Sequence, residues 1–200
     1  VTEPEVPQRQ YLEVQNELKT FDVTTEIGVN HSGQKVGGST NGTPTEEANK
    51  RLVEQVKYGY NGANDIIITP DEGYSVYSIE VNDKKYKFVP NEDGTVTIPA
   101  FEDVKEDINI KIVFETGVSG VLVHHYLRDE DGNNTTTKLA EDEYIVGFVG
   151  DRYYTNARSD IKGYQVAKKN GRYEFPANKN GVITEETTVV TYYYIDAPFT

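Results

Sequence analysis

The chain has 200 residues, of which 36% are hydrophobic and 26% charged, and its formal net charge is −13. This composition is typical of a folded globular chain. Such an acidic chain repels phosphate groups, so nucleic-acid binding and adsorption to anionic membranes are disfavoured. Its apolar runs fall well short of the roughly 20 residues that a bilayer span requires, so we expect no membrane insertion.

The sequence contains neither cysteine nor methionine. Because it lacks an initiator methionine, we interpret it as a monomeric fragment of a longer protein whose export signal and anchor lie elsewhere. Without cysteine there is no Cys/His nucleophile, and no Gly-x-Ser-x-Gly motif or Ser/His/Asp grouping is present. The sequence therefore predicts no enzymatic activity, and it gives no reason to expect a cofactor.

The first residues, 1–20, carry two early prolines and then become polar, which is typical of a linker or the tail of a preceding domain. From Phe21 to Ile27, apolar and polar residues alternate, which predicts a strand with one buried face. Thr43 and Pro44 precede two glutamates, a pattern typical of a helix start, so the sequence predicts a short helix over 44–53.

Further strands are expected where apolar residues alternate or form short runs. In the first half these lie around 66–68, 76–81, 96–98 and 108–114. Glycines at 117 and 120 then interrupt the pattern, and we expect a domain boundary between them. The sequence predicts a β-rich (α+β) chain of two tandem modules, at 21–117 and 118–196, with mixed sheets and little helix.

Candidate metal ligands are few. His124 and His125 are adjacent on a predicted strand, so they should point to opposite faces, one packed and one facing solvent. The acidic turn at 129–133 offers oxygen ligands of the kind that calcium prefers, but it lacks the spacing of a twelve-residue calcium loop. Its Asp-Gly pair is also a common hairpin turn. The sequence indicates no metal site, and whether this turn binds calcium stays open.

Tyrosines are the best binding candidates. Tyr153, Tyr154 and Tyr173 lie in loop-rich segments, where exposed rings can stack on sugars and their hydroxyls can form hydrogen bonds. Tyr192 and Tyr194 share one face of the last predicted strand and should be buried. Since the whole chain is acidic, we expect any affinity for acidic sugars to depend on these rings and not on charge.

The second half contains an ordered series of motifs: a Val-x-Val strand, an Asp-Gly-Asn turn, a Gly-x-x-Gly segment before Tyr-Thr, a Gly-Tyr strand, and Thr-Glu-Glu before Val-x-Tyr-x-Tyr. Over 119–195 this series resembles the MucBP-type (mucin-binding protein) repeat of Gram-positive surface adhesins. The sequence departs from that pattern at Ile183, where Phe is usual, and at His124-His125, which lengthen the opening strand. The resemblance implies an extracellular β-grasp-like module.

The first half carries a Gly-Gly-Ser segment at 37–39, a Pro-Asp-Glu-Gly-Tyr run at 70–74 and a closing strand at 110–114. Over 21–116 these features resemble divergent internalin-type B repeats. This resemblance also implies a β-grasp-like module of an adhesin stalk.

Together the two resemblances imply an extracellular segment of a bacterial cell-surface adhesin, located at the cell wall. Such a segment either binds host mucin or another glycoprotein, or acts as a stalk repeat. The alternative is a non-catalytic accessory module of a secreted or wall-bound carbohydrate-active enzyme or peptidase. The sequence leaves these alternatives open.

Overall fold

The computed structural model describes residues 17–198. Most of the linker expected at 1–20 lies outside these residues, and Thr20 already begins the first strand. The described residues form strands and turns without a helix, so they contain no helix long and apolar enough to cross a membrane. The prediction of a β-rich chain is confirmed, while its α component is absent from this part of the chain.

The strands of the first half form two sheets. They are β1 (Thr20–Ile27), β2 (Gly38–Thr40), β3 (Thr43–Pro44), β4 (Lys50–Lys57), β5 (Ile66–Pro70), β6 (Ser75–Val81), β7 (Lys84–Lys85), β8 (Val96–Ile98) and β9 (Ile108–Glu115). A six-stranded sheet has the order β3-β4-β1-β9-β6-β7, and a three-stranded sheet has the order β2-β5-β8. In the larger sheet, β1 and β9 run parallel to each other.

A core of aliphatic side chains joins these two sheets. Val23, Ile110 and Ile112 of the larger sheet are fully buried together with Ile66 and Ile68 of the smaller one. The buried and less buried positions alternate along β1 and β9, as the sequence pattern predicts. Each such side chain contributes about 1.5–3 kcal/mol when it is removed from water.

The prediction of a helix over 44–53 is wrong, because this segment forms the β3–β4 hairpin. The Thr45 hydroxyl accepts a hydrogen bond from the Glu47 N–H, and Asn49 adopts a left-handed φ of 65° that reverses the chain. An isolated helix of this length is marginal in water. Strand β4, in contrast, satisfies its backbone by pairing with β1 along most of its length.

The strands of the second half form one larger sheet and two small ones. They are β10 (Val118–Arg128), β11 (Asn134–Phe148), β12 (Arg152–Tyr154), β13 (Tyr164–Val166), β14 (Lys168–Lys169), β15 (Arg172–Tyr173), β16 (Asn180–Val182) and β17 (Thr188–Asp196). The four-stranded sheet has the order β11-β10-β17-β13, with β10 and β17 parallel. The two-stranded sheets are β12–β16 and β14–β15.

The core of the second half combines valine with tyrosine. Val121 and Val190 are buried beside Tyr192 and Tyr194, whose burial agrees with the sequence prediction. The tyrosine hydroxyls are hydrogen-bonded: that of Tyr192 lies 2.7 Å from the Thr155 hydroxyl, and that of Tyr194 accepts the backbone N–H at position 158. This core therefore depends on satisfied polar groups as well as on apolar contact.

The predicted break at 117–120 is shorter than expected. Between β9 and β10 only Thr116 and Gly117 intervene, and Gly117 has a positive φ of 66°. Ser119 and Gly120 are buried residues of β10. A Cβ at position 120 would collide with the ring of Tyr144, so this glycine is required by packing and does not interrupt the strand.

Aromatic side chains join the two halves, and we call this contact the aromatic joint: His31, Tyr77 and Phe88 of the first half with Tyr144 and Phe148 of the second. The ring centroid of Phe148 lies 4.8 Å from that of His31 and 5.5 Å from that of Tyr77. Phe88 and Tyr144 are 6.1 Å apart. The buried residues of the two cores form separate clusters, and the division at 117/118 into independent modules stays a prediction.

Candidate functional site

Tyr153 does not have the exposed ring that the sequence suggested. Its side chain is 4% exposed, and its hydroxyl donates a hydrogen bond to the Asn178 carbonyl at 2.8 Å. The ring lies over Gly181 of the paired strand, where any Cβ would approach the tyrosine hydroxyl to 2.8 Å. Because neighbours on a strand point to opposite faces, Tyr154 points outward and is 65% exposed. The expectation for Tyr153 is therefore wrong, and Tyr154 alone of this pair presents its ring.

Tyr173 is 54% exposed, on a different small sheet from Tyr154. Its neighbour is Phe175, which sequence analysis did not single out. The two ring centroids are 6.4 Å apart with the planes tilted by 40°, and Phe175 is also largely exposed. Tyr173 thus belongs to a pair of exposed aromatic rings, which is the arrangement that a chain of sugar rings can contact.

The hairpin formed by β14 and β15 presents Tyr173. Its turn is Asn170-Gly171, whose φ angles of 52° and 76° both lie in the left-handed region. Asn-Gly is the favoured pair for such two-residue turns because both positions need φ > 0. Lys168 pairs with Tyr173 across the hairpin, which places two exposed side chains on the same face of the ladder.

Two lysines lie against the exposed rings. The Lys168 Nζ atom is 5.1 Å from the centroid of Tyr173, and the Lys179 Nζ atom is 4.9 Å from that of Phe175. At exposed sites such cation–π contacts are each worth about 0.5–1 kcal/mol. They help to hold the ammonium groups beside the rings.

Lys169 and Arg172 are the remaining exposed cations of this hairpin. We call the group Lys168, Lys169, Arg172, Tyr173, Phe175 and Lys179 the cationic hairpin surface. The sequence contained a signal for it, since 162–180 holds five lysines and arginines and one acid. Averaging the charge over the whole chain concealed this concentration.

The one acid of that segment, Glu174, is engaged elsewhere. Its carboxylate lies 3.2 Å from the guanidinium of Arg128 on β10. The hydrogen bond from Arg128 lowers the pKa of Glu174 and outweighs the opposing effect of desolvation. Glu174 therefore stays ionised and links the hairpin to the larger sheet.

A groove of about 440 Å³ lies between the halves, beside the aromatic joint. Its rings are those of Tyr77, Tyr86 and Phe88 of the first half and Tyr144 of the second. Its two acids already have partners: Asp142 lies 2.7 Å from His124 and 2.8 Å from Lys138, and Glu143 lies 2.8 Å from His125. The groove therefore offers aromatic surface to a ligand, but its two carboxylates already form ion pairs or hydrogen bonds within the protein.

His124 and His125 point to opposite faces, as expected. His125 is fully buried, with Nδ1 2.7 Å from the Tyr194 hydroxyl and Nε2 on Glu143. His124 is less solvent-facing than predicted, because its side chain is only 16% exposed and stacks on Tyr126. Within residues 17–198, no three His, Asp or Glu side chains are grouped as a metal site would require.

The acidic turn at 129–133 closes the β10–β11 hairpin. The Asp129 carboxylate accepts the Asn133 N–H at 2.7 Å, and the Asp129 carbonyl accepts the Gly132 N–H at 3.0 Å. These bonds are those of a tight turn whose glycine has a positive φ of 84°. A structural role thus accounts for the Asp-Gly pair.

Comparison with protein families identifies the second half. Residues 121–195 match the family model of the MucBP domain, which confirms the resemblance noted for 119–195. This match spans β10 to β17 and includes the cationic hairpin surface. No curated protein gives a significant sequence match.

Among solved structures, the chain is similar to the crystal structure of GBS52, the minor pilin of the Gram-positive pathogen Streptococcus agalactiae. The sequence identity is 10%, the TM-score is 0.27, and the alignment covers 90% of this chain and 98% of the pilin. This TM-score is too low to indicate a common fold. The likeness of the first half to internalin-type B repeats stays a prediction.

Proposed function

We propose that this chain, whose residues 121–195 are a MucBP domain, is an extracellular segment of a bacterial cell-surface adhesin that attaches to host mucin or a related glycoprotein. The family match is the observation that carries this proposal. It also supports a location at the cell wall of a Gram-positive bacterium. The matched residues present exposed aromatic rings, which suits contact with glycans.

The first half then acts as the adjoining stalk module. Its exposed rings include Tyr58 and Tyr60, which lie in the loop between β4 and β5. Exposed apolar residues are normal on any protein surface, and the MucBP match lies outside this half. The contribution of the first half is therefore to position the MucBP domain through the aromatic joint.

A binding experiment separates adhesion from a purely structural stalk. Immobilised intestinal mucin, intact or enzymatically deglycosylated, is titrated with the 200-residue chain and followed by biolayer interferometry. We expect weak binding to intact mucin, with a Kd on the order of 10–1,000 μM, and its loss after deglycosylation. Absence of binding to intact mucin would leave only the stalk role.

Tyrosine variants locate the contact. Tyr173→Ala removes an exposed ring from the MucBP domain, and Tyr58→Ala removes an exposed ring from the first half. We expect Tyr173→Ala to weaken mucin binding at least fivefold and Tyr58→Ala to leave it within twofold. Equal losses in the two variants would show that mucin does not select the MucBP domain.

A further inference from the structure

The cationic hairpin surface differs sharply in charge from the rest of the chain. Residues 162–180 carry a local net charge of +4, which leaves −17 on the other residues, since the total is −13. This concentration lies in one hairpin and the segment that follows it. An anionic group therefore meets a favourable local field there, although the whole chain is acidic.

The cations of this surface are not used in internal ion pairs. Among residues 17–198, the lysines and arginines that pair with a carboxylate are Lys50, Lys105, Arg128, Lys138 and Arg158. Lys168, Lys169 and Lys179 form no such pair with any described residue. An incoming anion therefore does not have to displace a carboxylate partner from these ammonium groups.

The aromatic rings add a second kind of contact at the same place. Tyr173 and Phe175 remain 54% and 47% exposed although each has a lysine 5.1 and 4.9 Å from its centroid. A sugar ring can stack on the open part of such a ring, while a charged substituent on the sugar reaches the adjacent ammonium group. Stacking and charge pairing thus become available to one ligand, within the length of one or two sugar units.

From this arrangement we infer that the cationic hairpin surface binds anionic glycans, that is, sugar chains bearing sulfate or carboxylate groups. The inference rests on the proposed function and gives the chemical class of its ligand. It replaces the sequence-based expectation that binding depends on tyrosine rings and not on charge. The hairpin supplies both the aromatic rings and the positive charges.

The charge distribution also favours a glycan over an extended anionic surface. A bilayer or a nucleic-acid duplex would bring its charges close to the remainder of the chain, at −17, and would be repelled. At physiological ionic strength the screening length is about 8 Å. A single glycan branch is narrow enough to contact the hairpin while it remains screened from the more distant acids.

A matched pair of double variants tests the inference. Lys168→Gln/Lys179→Gln removes the two ammonium groups beside the rings, and the control Lys35→Gln/Lys57→Gln removes two exposed charges from the first half. We expect the first variant to lose at least tenfold in affinity for intact mucin and the control to stay within twofold. Both variants should keep the wild-type circular dichroism spectrum, since all four side chains are exposed. The control should also keep the thermal midpoint, whereas loss of two exposed cation–π contacts lowers that of Lys168→Gln/Lys179→Gln by a few degrees at most.

Salt provides an independent readout. If ammonium groups pair with sulfate or carboxylate, raising NaCl from 50 to 300 mM should weaken binding of the wild-type chain severalfold. The same change should have little effect on residual binding by Lys168→Gln/Lys179→Gln. Binding that is unchanged or strengthened by salt would overturn the inference, because it would show that the net acidity of the chain governs the encounter.

Selective removal of the anions distinguishes their sources. Sialidase-treated mucin lacks terminal carboxylates, and chemically desulfated mucin lacks sulfate esters. Loss of binding with either treated mucin supports the inference and identifies the anionic group.

Binding that survives both treatments and the lysine substitutions would overturn the inference while the proposed adhesion function stands. Failure to bind any mucin would overturn both the inference and the proposed function. Equal, lysine-dependent binding to phosphatidylserine vesicles would assign the surface to membranes and also overturn the inference.

Discussion

The two halves of the molecule have the same arrangement of central strands but differ in the elements that pack on those strands. In each, the first and last strands run parallel at the middle of a sheet, β1 with β9 and β10 with β17. An antiparallel strand flanks each side, which gives the orders β4-β1-β9-β6 and β11-β10-β17-β13. Both halves thus contain a mixed sheet with two parallel central strands, while the β-grasp-like classification of the modules stays a prediction.

The covering layers differ in kind. The first half places the three-stranded sheet β2-β5-β8 over its central strands, and the buried side chains there are mostly Ile and Val. In the second half, Tyr153 of β12 belongs to the core together with buried tyrosine hydroxyls and a histidine. The strands of the β14–β15 hairpin, in contrast, are exposed along their length and contribute no residue to that core. The cationic hairpin surface therefore projects into solvent beside the core of the second half.

The largest expected effect comes from the aliphatic core. Phe114→Ala truncates a fully buried side chain of β9, and such truncations cost about 3–5 kcal/mol because they leave a cavity. Hydrogen exchange, read amide by amide, should show this loss in β1, β5 and β9. If the halves are independent modules, β10 and β17 should keep wild-type protection. Equal loss of protection in both halves would refute the division at 117/118.

A polar substitution tests the second core in the same way. Tyr194→Phe removes the hydroxyl that bonds His125 and the backbone N–H at position 158. Leaving these buried groups unpaired should cost about 1–3 kcal/mol, measured by urea unfolding. Tyr173→Phe removes an exposed hydroxyl and serves as the control, with an expected change below about 0.5 kcal/mol. Equal effects would show that the buried network does not stabilise this half.

A third substitution tests the aromatic joint. Phe148→Ala removes the ring that contacts His31 and Tyr77, at a cost of about 1 kcal/mol because the residue is only partly covered. The cores should survive, but small-angle scattering should show a broader distribution of distances between the halves. An unchanged distribution would mean that β10 and β11, and not the joint, fix the orientation of the halves.

The smallest expected effect concerns acid stability. Burial acts to raise the pKa of Asp142, but hydrogen bonds from Lys138 and His124 outweigh it, and the net pKa is lowered. A carboxyl group with a lowered folded-state pKa stabilises the protein above its unfolded pKa of about 3.9, and this contribution is lost as the pH falls through the folded value. Wild type should therefore exceed Asp142→Asn in stability at pH 6 by up to about 1 kcal/mol.

The corresponding measurement is urea unfolding between pH 6 and pH 2.5. We expect the difference between wild type and Asp142→Asn to shrink toward the acid end of this range. A difference that is constant across the range would contradict a contribution from the ionised carboxylate.

How much the sequence predicted depends on the range of each interaction. The strand at 108–114 was identified because strict alternation follows directly from one buried face, and the buried pair Tyr192 and Tyr194 was identified for the same reason. The helix over 44–53 was wrong because its signals were local, while β4 is held by pairing with β1 across the sheet. The MucBP resemblance was correct because an ordered series of turn glycines and strand ends is specific.

The candidate site was only partly predictable. In the segment around Tyr153 and Tyr154, three strand residues are too few to reveal which side chain faces inward, and the answer depends on Gly181 in a distant strand. The role of Lys168 and Lys179 depends on which rings they approach. Net charge also misled, because an average over the chain carries no information about where opposite charges collect.

A titration of the ¹⁵N-labelled chain with released mucin O-glycans, followed by amide chemical shifts, tests most directly whether the ligand site lies on the β14–β15 hairpin of the second half. We predict that the shifts concentrate in residues 168–179, with the first half unchanged, and that they decrease when the glycans are stripped of sialic acid and sulfate. Shifts centred on Tyr86, Phe88 and Tyr144 would instead place the ligand in the groove between the halves and contradict a ligand site on the hairpin.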